Sequence, residues 1–131
     1  MAEILTDYLG EAARLPFTWS VDDCATFVLH WLDRKTGIAG AAAWTGRYSD
    51  ETTCEQFIAV NGGYEAIADD FLWRHYRIER GLGSAGNPVL AKFKDREAFG
   101  IRIDPSLIAM RTQRGVLITP RAYVLAEWSA A

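Results

Sequence analysis

The sequence predicts an α+β fold in which N-terminal helices pack on a C-terminal antiparallel β-sheet. Three observations predict it. Apolar residues recur at three- and four-residue spacing up to about residue 80. Gly81, Gly83 and Gly86 then punctuate a loop, and from residue 87 onward the apolar residues come in short runs separated by polar, Gly or Pro breaks. Helices first and strands second favour two segregated layers over an alternating parallel architecture.

Ile4, Leu5, Tyr8, Leu9, Ala12 and Leu15 share one face, so a first helix is expected from about Ala2 to Arg14, ending before Pro16, whose ring disfavours a helical predecessor. Pro16-Phe17-Thr18-Trp19 reads as extended. Ser20 or Asp22 can cap a second helix, in which Cys24, Phe27, Val28, Trp31 and Leu32 form a stripe ending near Gly37; this is the expected central helix. Ser49 or Asp50 caps a third helix, through Phe57 and Ile58 to the Asn61-Gly62-Gly63 break, and a fourth is expected from Tyr64 to about Trp73. The later runs, Val89 to Phe93, Ala98 to Ile103, Leu107 to Met110, Val116 to Thr119 and Tyr123 to Trp128, read as an antiparallel meander. No repeat or linker divides the chain, so residues 1–131 are expected to form one domain, helical to about 80 and β from about 87.

A chain of 131 residues with 50% hydrophobic content can bury a core without a disulfide staple. A net charge of -3 with no basic run argues against nucleic acid as a partner. The longest span-like stretch, Ile38 to Trp44, is far short of the roughly 18 apolar residues a membrane helix requires. Met1 to Gly10 carries Glu3 and Asp7 and no long apolar run, so no signal peptide is expected, and a Cys24–Cys54 disulfide is not suggested. Neither a metal nor another cofactor is expected: the two cysteines are thirty residues apart, the two histidines stand alone, and the adjacent Asp69 and Asp70 diverge on a helix. Gly81 to Gly86 matches Gly-x-Gly-x-x-Gly but lacks a preceding parallel strand and runs into Asn87-Pro88, so it reads as a flexible loop.

Cys24 lies in the first turn of the second helix, where unpaired N–H groups and the helix dipole favour an anion and lower a thiol pKa. A nucleophilic cysteine would be placed there. The alternative is a small buried hydrophobe on the apolar stripe, and Asp22 and Asp23 both oppose a thiolate.

The string Phe17-Thr18-Trp19-Ser20-Val21-Asp22-Asp23-Cys24-Ala25-Thr26-Phe27-Val28 resembles the nucleophile segment of the NlpC-type, papain-like cysteine peptidases. Gly86-Asn87-Pro88-Val89-Leu90 is similar to that family's Gly-Asp-apolar-apolar strand start, and Ala98-Phe99-Gly100-Ile101 to its His-apolar-Gly-Ile strand. With Trp44-Thr45-Gly46-Arg47-Tyr48 and Asn61-Gly62-Gly63, the chain most resembles a divergent branch carried by phages and prophages. That resemblance implies a tail-associated virion protein, made in the host cytoplasm, whose partners are distal-tail or hub proteins and whose ancestral substrate is peptidoglycan.

A thiol hydrolase needs a base within reach of the sulfur and a third group to orient it. At the position the resemblance assigns to that histidine stands Ala98, or Phe99 if the register slips by one; the orienting position near Ala109 or Met110 is also apolar. His30 lies six residues beyond Cys24, about 9 Å further along the same helix. His75 could serve only if the fold carries the end of the fourth helix over the start of the second. Two readings follow. One is a non-catalytic tail-tip or baseplate-hub protein on a degenerate NlpC-like fold. The other is an active thiol-dependent peptidoglycan hydrolase with Cys24 as nucleophile and a base from His75 or a partner chain. Trp44 and Trp73, with Arg74, Arg77 and Arg80, are the sequence's candidates for a partner-facing patch, since tryptophan and arginine are enriched at interfaces.

Overall fold

The computed structural model describes residues 2–129. Four helices precede a five-stranded sheet: α1 (Ala2–Arg14), α2 (Cys24–Thr36), α3 (Glu51–Val60) and α4 (Tyr64–Tyr76), then β1 (Pro88–Phe93), β2 (Arg96–Asp104), β3 (Leu107–Thr112), β4 (Gly115–Thr119) and β5 (Tyr123–Glu127). A single 3₁₀ turn, Ala41–Ala43, joins α2 to α3. The fold is therefore α+β with its helices first, as the change in apolar spacing predicts.

Helix α2 is central. Ala25, Thr26, Phe27, Val28, Leu29, Trp31 and Leu32 are all buried, because α1 and β2 pack on different sides of it. Its cap is Asp23, one residue beyond the expected Asp22, and Gly37 closes it in the left-handed conformation with its N–H on Asp33 O at 2.9 Å. Helix α3 starts from an Asp50–Thr53 capping box. Helix α4 runs one turn beyond the expected Trp73. Tyr76 extends it inward, its hydroxyl donating to Asp33 Oδ1 at 2.5 Å, and the helix stops at Arg77, whose φ is +58°.

The strand order β4-β3-β2-β1-β5 corrects the simple meander. Strands β1 to β4 are consecutive neighbours, but β5 returns to pair antiparallel with β1. In a flat sheet β4 and β5 would lie about 19 Å apart, four strand spacings, whereas residues 120–122 can bridge only about 14 Å. The sheet must curl. Its two faces carry separate apolar clusters. The larger joins Leu90, Phe99, Ile101 and Ala109 to the helices; the smaller joins Val89, Ile108 and Met110 with Ala98 and Val124 partly packed against them.

Polar ties close the fold. The carboxylate of Glu127 accepts a fork from Arg102 at 2.8 and 2.9 Å, the Asn87 amide at 2.8 Å and the Gly83 N–H at 2.9 Å. With Gly86 N–H on Arg102 O at 2.7 Å, these bonds pin the 81–86 segment, so it is not the free loop expected. Gly86 also passes against Trp31, whose indole N–H donates to Gly86 O at 2.8 Å; its φ of +88° favours glycine, and a Cβ there would sit tightly, 3.1 Å from the Trp31 ring. Arg111 on β3 reaches back to α1 and donates to Ala12 O at 2.6 Å and Leu15 O at 2.7 Å, satisfying carbonyls a helix end leaves open.

Candidate functional site

The start of α2 is built on a buried carboxylate. Asp23 is 1% exposed and accepts from the backbone N–H groups of Ser20 (2.8 Å), Ala25 (3.1 Å) and Thr26 (3.0 Å), from the Thr26 hydroxyl (3.1 Å) and from the Tyr48 hydroxyl (2.5 Å). Tyr48 in turn accepts the Trp44 indole N–H at 2.8 Å. Ser20, at φ +62°, holds the 45–48 segment through its Oγ, which accepts the Gly46 N–H at 3.0 Å. A residue outside the glycine-permitted norm persists here because five partners over-determine the turn. The whole arrangement fixes Cys24 as the first residue of α2.

Cys24 opens onto a groove of about 340 Å³ between α2, α3, the start of α4 and the β1–β2 and β3–β4 hairpins. Phe17 and Trp19, packed edge to face at 4.9 Å, form one wall, and Tyr64 and Phe99, 5.6 Å apart, form another. Glu55, Lys94 and Glu97 stand at its mouth with the Glu51–Arg96 ion pair, which joins α3 to β2. Cys54 also lines it, so the two cysteines share one groove; both are free thiols. Tyr64 and Cys54 are groove residues that the sequence reading missed. Tyr64 announces itself only as the first residue after a double glycine, and Cys54 only as a small apolar position on α3.

Cluster membership decides which β2 residue faces the helices. Phe99 is 7% exposed and belongs to the large core with α2, whereas Ala98 packs with Val89, Ile108 and Met110 on the opposite face. Phe99 is thus the helix-facing position beside Cys24; Ala98 lines the same groove from its neighbouring place on β2, so both residues the sequence reading named for the vacant base position border the thiol's groove, and neither carries a proton acceptor. The expected orienting positions are apolar too: Ala109 lies in the large core and Met110 in the small one.

The electrostatics oppose a thiolate. Cys24 as a residue is half-buried, yet packing around its sulfur is the leading cause that pushes the thiol up to about 12; the Asp23 charge adds to this, and backbone hydrogen bonds from Phe99 and Ala25 pull only weakly the other way. Cys54 is pushed up to about 11, first by burial. The Tyr64 hydroxyl is pushed up to about 12, by burial first and by its proximity to Cys24 second. The dipole advantage of a helix start is outweighed here by desolvation and a buried carboxylate.

Neither histidine reaches this groove. His30 lines a separate cleft of about 500 Å³ between α1 and α2, with its Nε2 3.0 Å from Val21 O. His75 stacks on Phe71 at 4.2 Å on α4 and is absent from the groove lining, so its expected alternative role as base to Cys24 is not supported by placement. The partner-patch residues divide. Trp44 is 3% exposed and is packed edge to face against Tyr48, Phe57 and Phe71, so it is core and not interface. Trp73 is 46% exposed with the Arg77 guanidinium 5.2 Å above its ring, and Arg74 pairs with Asp70 at 3.1 Å. Arg80 is committed to Asp69 and Glu65, both at 2.7 Å, and lies over Trp128. Among the described residues, no group of His, Cys, Asp or Glu is arranged to hold a metal, and no helix is long and apolar enough to cross a membrane.

No curated protein and no solved structure matches the chain. A family model, described as a domain of unknown function (DUF6950), matches residues 2–130. That match spans nearly the whole sequence, and the chain therefore belongs to the DUF6950 family.

Proposed function

We propose that this protein is a structural component of a phage tail tip or baseplate hub, built on an NlpC-like fold whose peptidase site no longer functions. The observation that carries the non-catalytic part is the pairing of Cys24 with Phe99: an aromatic ring occupies the helix-facing strand position beside a thiol pushed up to about 12. A neutral thiol without a proton acceptor is a poor nucleophile, and a peptide leaving group would find no acid to protonate it. The tail placement and its distal-tail or hub partners follow from the resemblance of the Phe17 to Val28 segment and its companions to the phage branch of that superfamily. In this reading the groove walled by Phe17, Trp19 and Tyr64 is retained as a contact surface.

The rival reading, an active peptidoglycan hydrolase, draws support from the groove being open, but it needs a base from another chain. Two measurements test the proposal. Release of soluble fragments from purified sacculi is expected to be negligible and the same for the native chain and Cys24→Ala; thiol-dependent release lost in Cys24→Ala would establish the hydrolase instead. Mass spectrometry of purified particles from the encoding phage or induced prophage is expected to find the chain; its absence from intact tails would remove the tail assignment.

A further inference from the structure

The two edges of the sheet are treated differently. The outer edge of β5 is covered toward its C-terminal end, where Gly81 N–H donates to Glu127 O at 3.2 Å, Ser129 N–H donates to Glu79 O at 2.8 Å and Arg80 bridges Trp128. Among the described residues strand β4 pairs with β3 alone; α1 packs against its helix-facing side, and the outer edge carries no strand. Natural sheets guard such an edge with a lysine, a proline or a bulge within the strand. Strand β4 is Gly-Val-Leu-Ile-Thr, with none of these, and its register with β3 is unbroken from Ile108↔Thr119 to Thr112↔Gly115. Val116 packs toward the large core, and Ile118, on the same face, is 50% exposed.

The charges stand at the ends of the strand. Arg114 precedes it and Arg121 follows it; both are exposed, and neither has an ion-pair partner among the described residues. The geometry points to β4 as a β-addition site for an extended segment of a partner protein, with alternating β-branched residues at its centre and acidic residues at both ends. Backbone hydrogen bonds would supply the pairing, Ile118 the side-chain contact, and the two arginines the choice of partner. A second copy of this chain fits poorly. Antiparallel pairing of two β4 strands about Leu117 sets Arg114 of one copy opposite Pro120 of the other and Arg121 opposite Gln113, which gathers an Arg114 and an Arg121 at each end of the pair with no acidic residue of β4 between them, and that like charge opposes association. This site lies apart from the Cys24 groove and does not depend on whether that groove is catalytic.

The test uses the full chain and two synthetic probes, Asp-Glu-Val-Thr-Val-Thr-Val-Glu-Asp and the same core with lysine flanks. The acidic probe is expected to bind roughly fivefold more tightly, from two exposed ion pairs, to weaken with salt, and to shift the amide resonances of residues 115–119. The double variant Arg114→Glu/Arg121→Glu, changed only at exposed positions, is expected to reverse the preference. Failure of both probes to bind, equal binding of the two, shifts confined to β5, or a concentration-dependent dimer that forms through β4 would each overturn the proposal.

Discussion

Phe99 and Cys24 meet across the α2–β2 interface: the backbone of Phe99 hydrogen-bonds the Cys24 thiol while its ring packs into the core beside it. A thiol so placed has only the backbone hydrogen bonds from Phe99 and Ala25 to favour its anion, and no histidine beside it to take its proton.

Cys24 should therefore be slow to alkylate. Near pH 7.5 a thiol with a pKa of about 12 is ionised to roughly one part in thirty thousand, against about one part in ten for an unfolded cysteine. Iodoacetamide is expected to modify native Cys24 on the order of a thousandfold more slowly than the denatured chain, as followed by peptide mass spectrometry. Equal native and denatured rates would refute the account of the site.

The side of β2 that faces the thiol can be tested with histidine. Phe99→His places an imidazole in the helix-facing position and is expected to raise the Cys24 alkylation rate at neutral pH by about tenfold or more, with a new pH dependence near the histidine pKa. Ala98→His, which borders the same groove from the small-core side of β2, is expected to raise that rate less than Phe99→His. Activation by the Ala98 variant alone would place the facing residue at 98 after all.

Arg111→Met should reveal how α1 is held. It removes donors to Ala12 O and Leu15 O at a helix end whose last residues are exposed and where Ala12 O keeps the Leu15 N–H at 3.2 Å. A loss of about 1.5 kcal/mol is expected, near 5 °C in melting temperature for a domain of this size. A melting temperature within about 2 °C of the native chain would show that water replaces the guanidinium.

Glu127 sets an acid limit. Burial alone would raise its carboxyl, but the Arg102 fork, Asn87 and the Gly83 N–H outweigh it and hold the group below the ordinary value. Because the folded value is depressed, this stabilisation is complete above about pH 5 and is lost as pH falls through the native value. Denaturant titrations of Glu127→Gln are expected to show a less stable protein at pH 7 whose difference from the native chain shrinks toward pH 3. A difference constant with pH would sink the assignment.

Much of the fold was legible in the sequence. The stripes through Leu5, Tyr8 and Ala12 and through Phe27, Val28 and Trp31, the caps at Asp50 and Gly37, and the five β runs all depend on local spacing, and local spacing is what a single sequence carries. What was hidden depends on distant partners. The return of β5 to β1 leaves no local trace, and neither does the burial of Trp44 among Phe57 and Phe71, since tryptophan suits both a core and an interface. The nucleophile-like segment was readable as a string, but the residue facing its thiol was uncertain by one, because a one-residue shift along a strand exchanges the two faces of the sheet. Tyr64 joins the groove only through the α3–α4 turn.

Strand β1 has a neighbour on each edge and an apolar cluster on each face, and Val89, Leu90 and Ala91 are essentially inaccessible. Its amides can meet solvent only when the curled sheet opens as a whole, so their deuterium uptake should report the global unfolding free energy, while β4, paired on one side, exchanges through smaller local openings. The same chain thus contains its own internal standard: the ratio of protection between Leu90 and Leu117 measures how far the exposed edge breathes independently of the body.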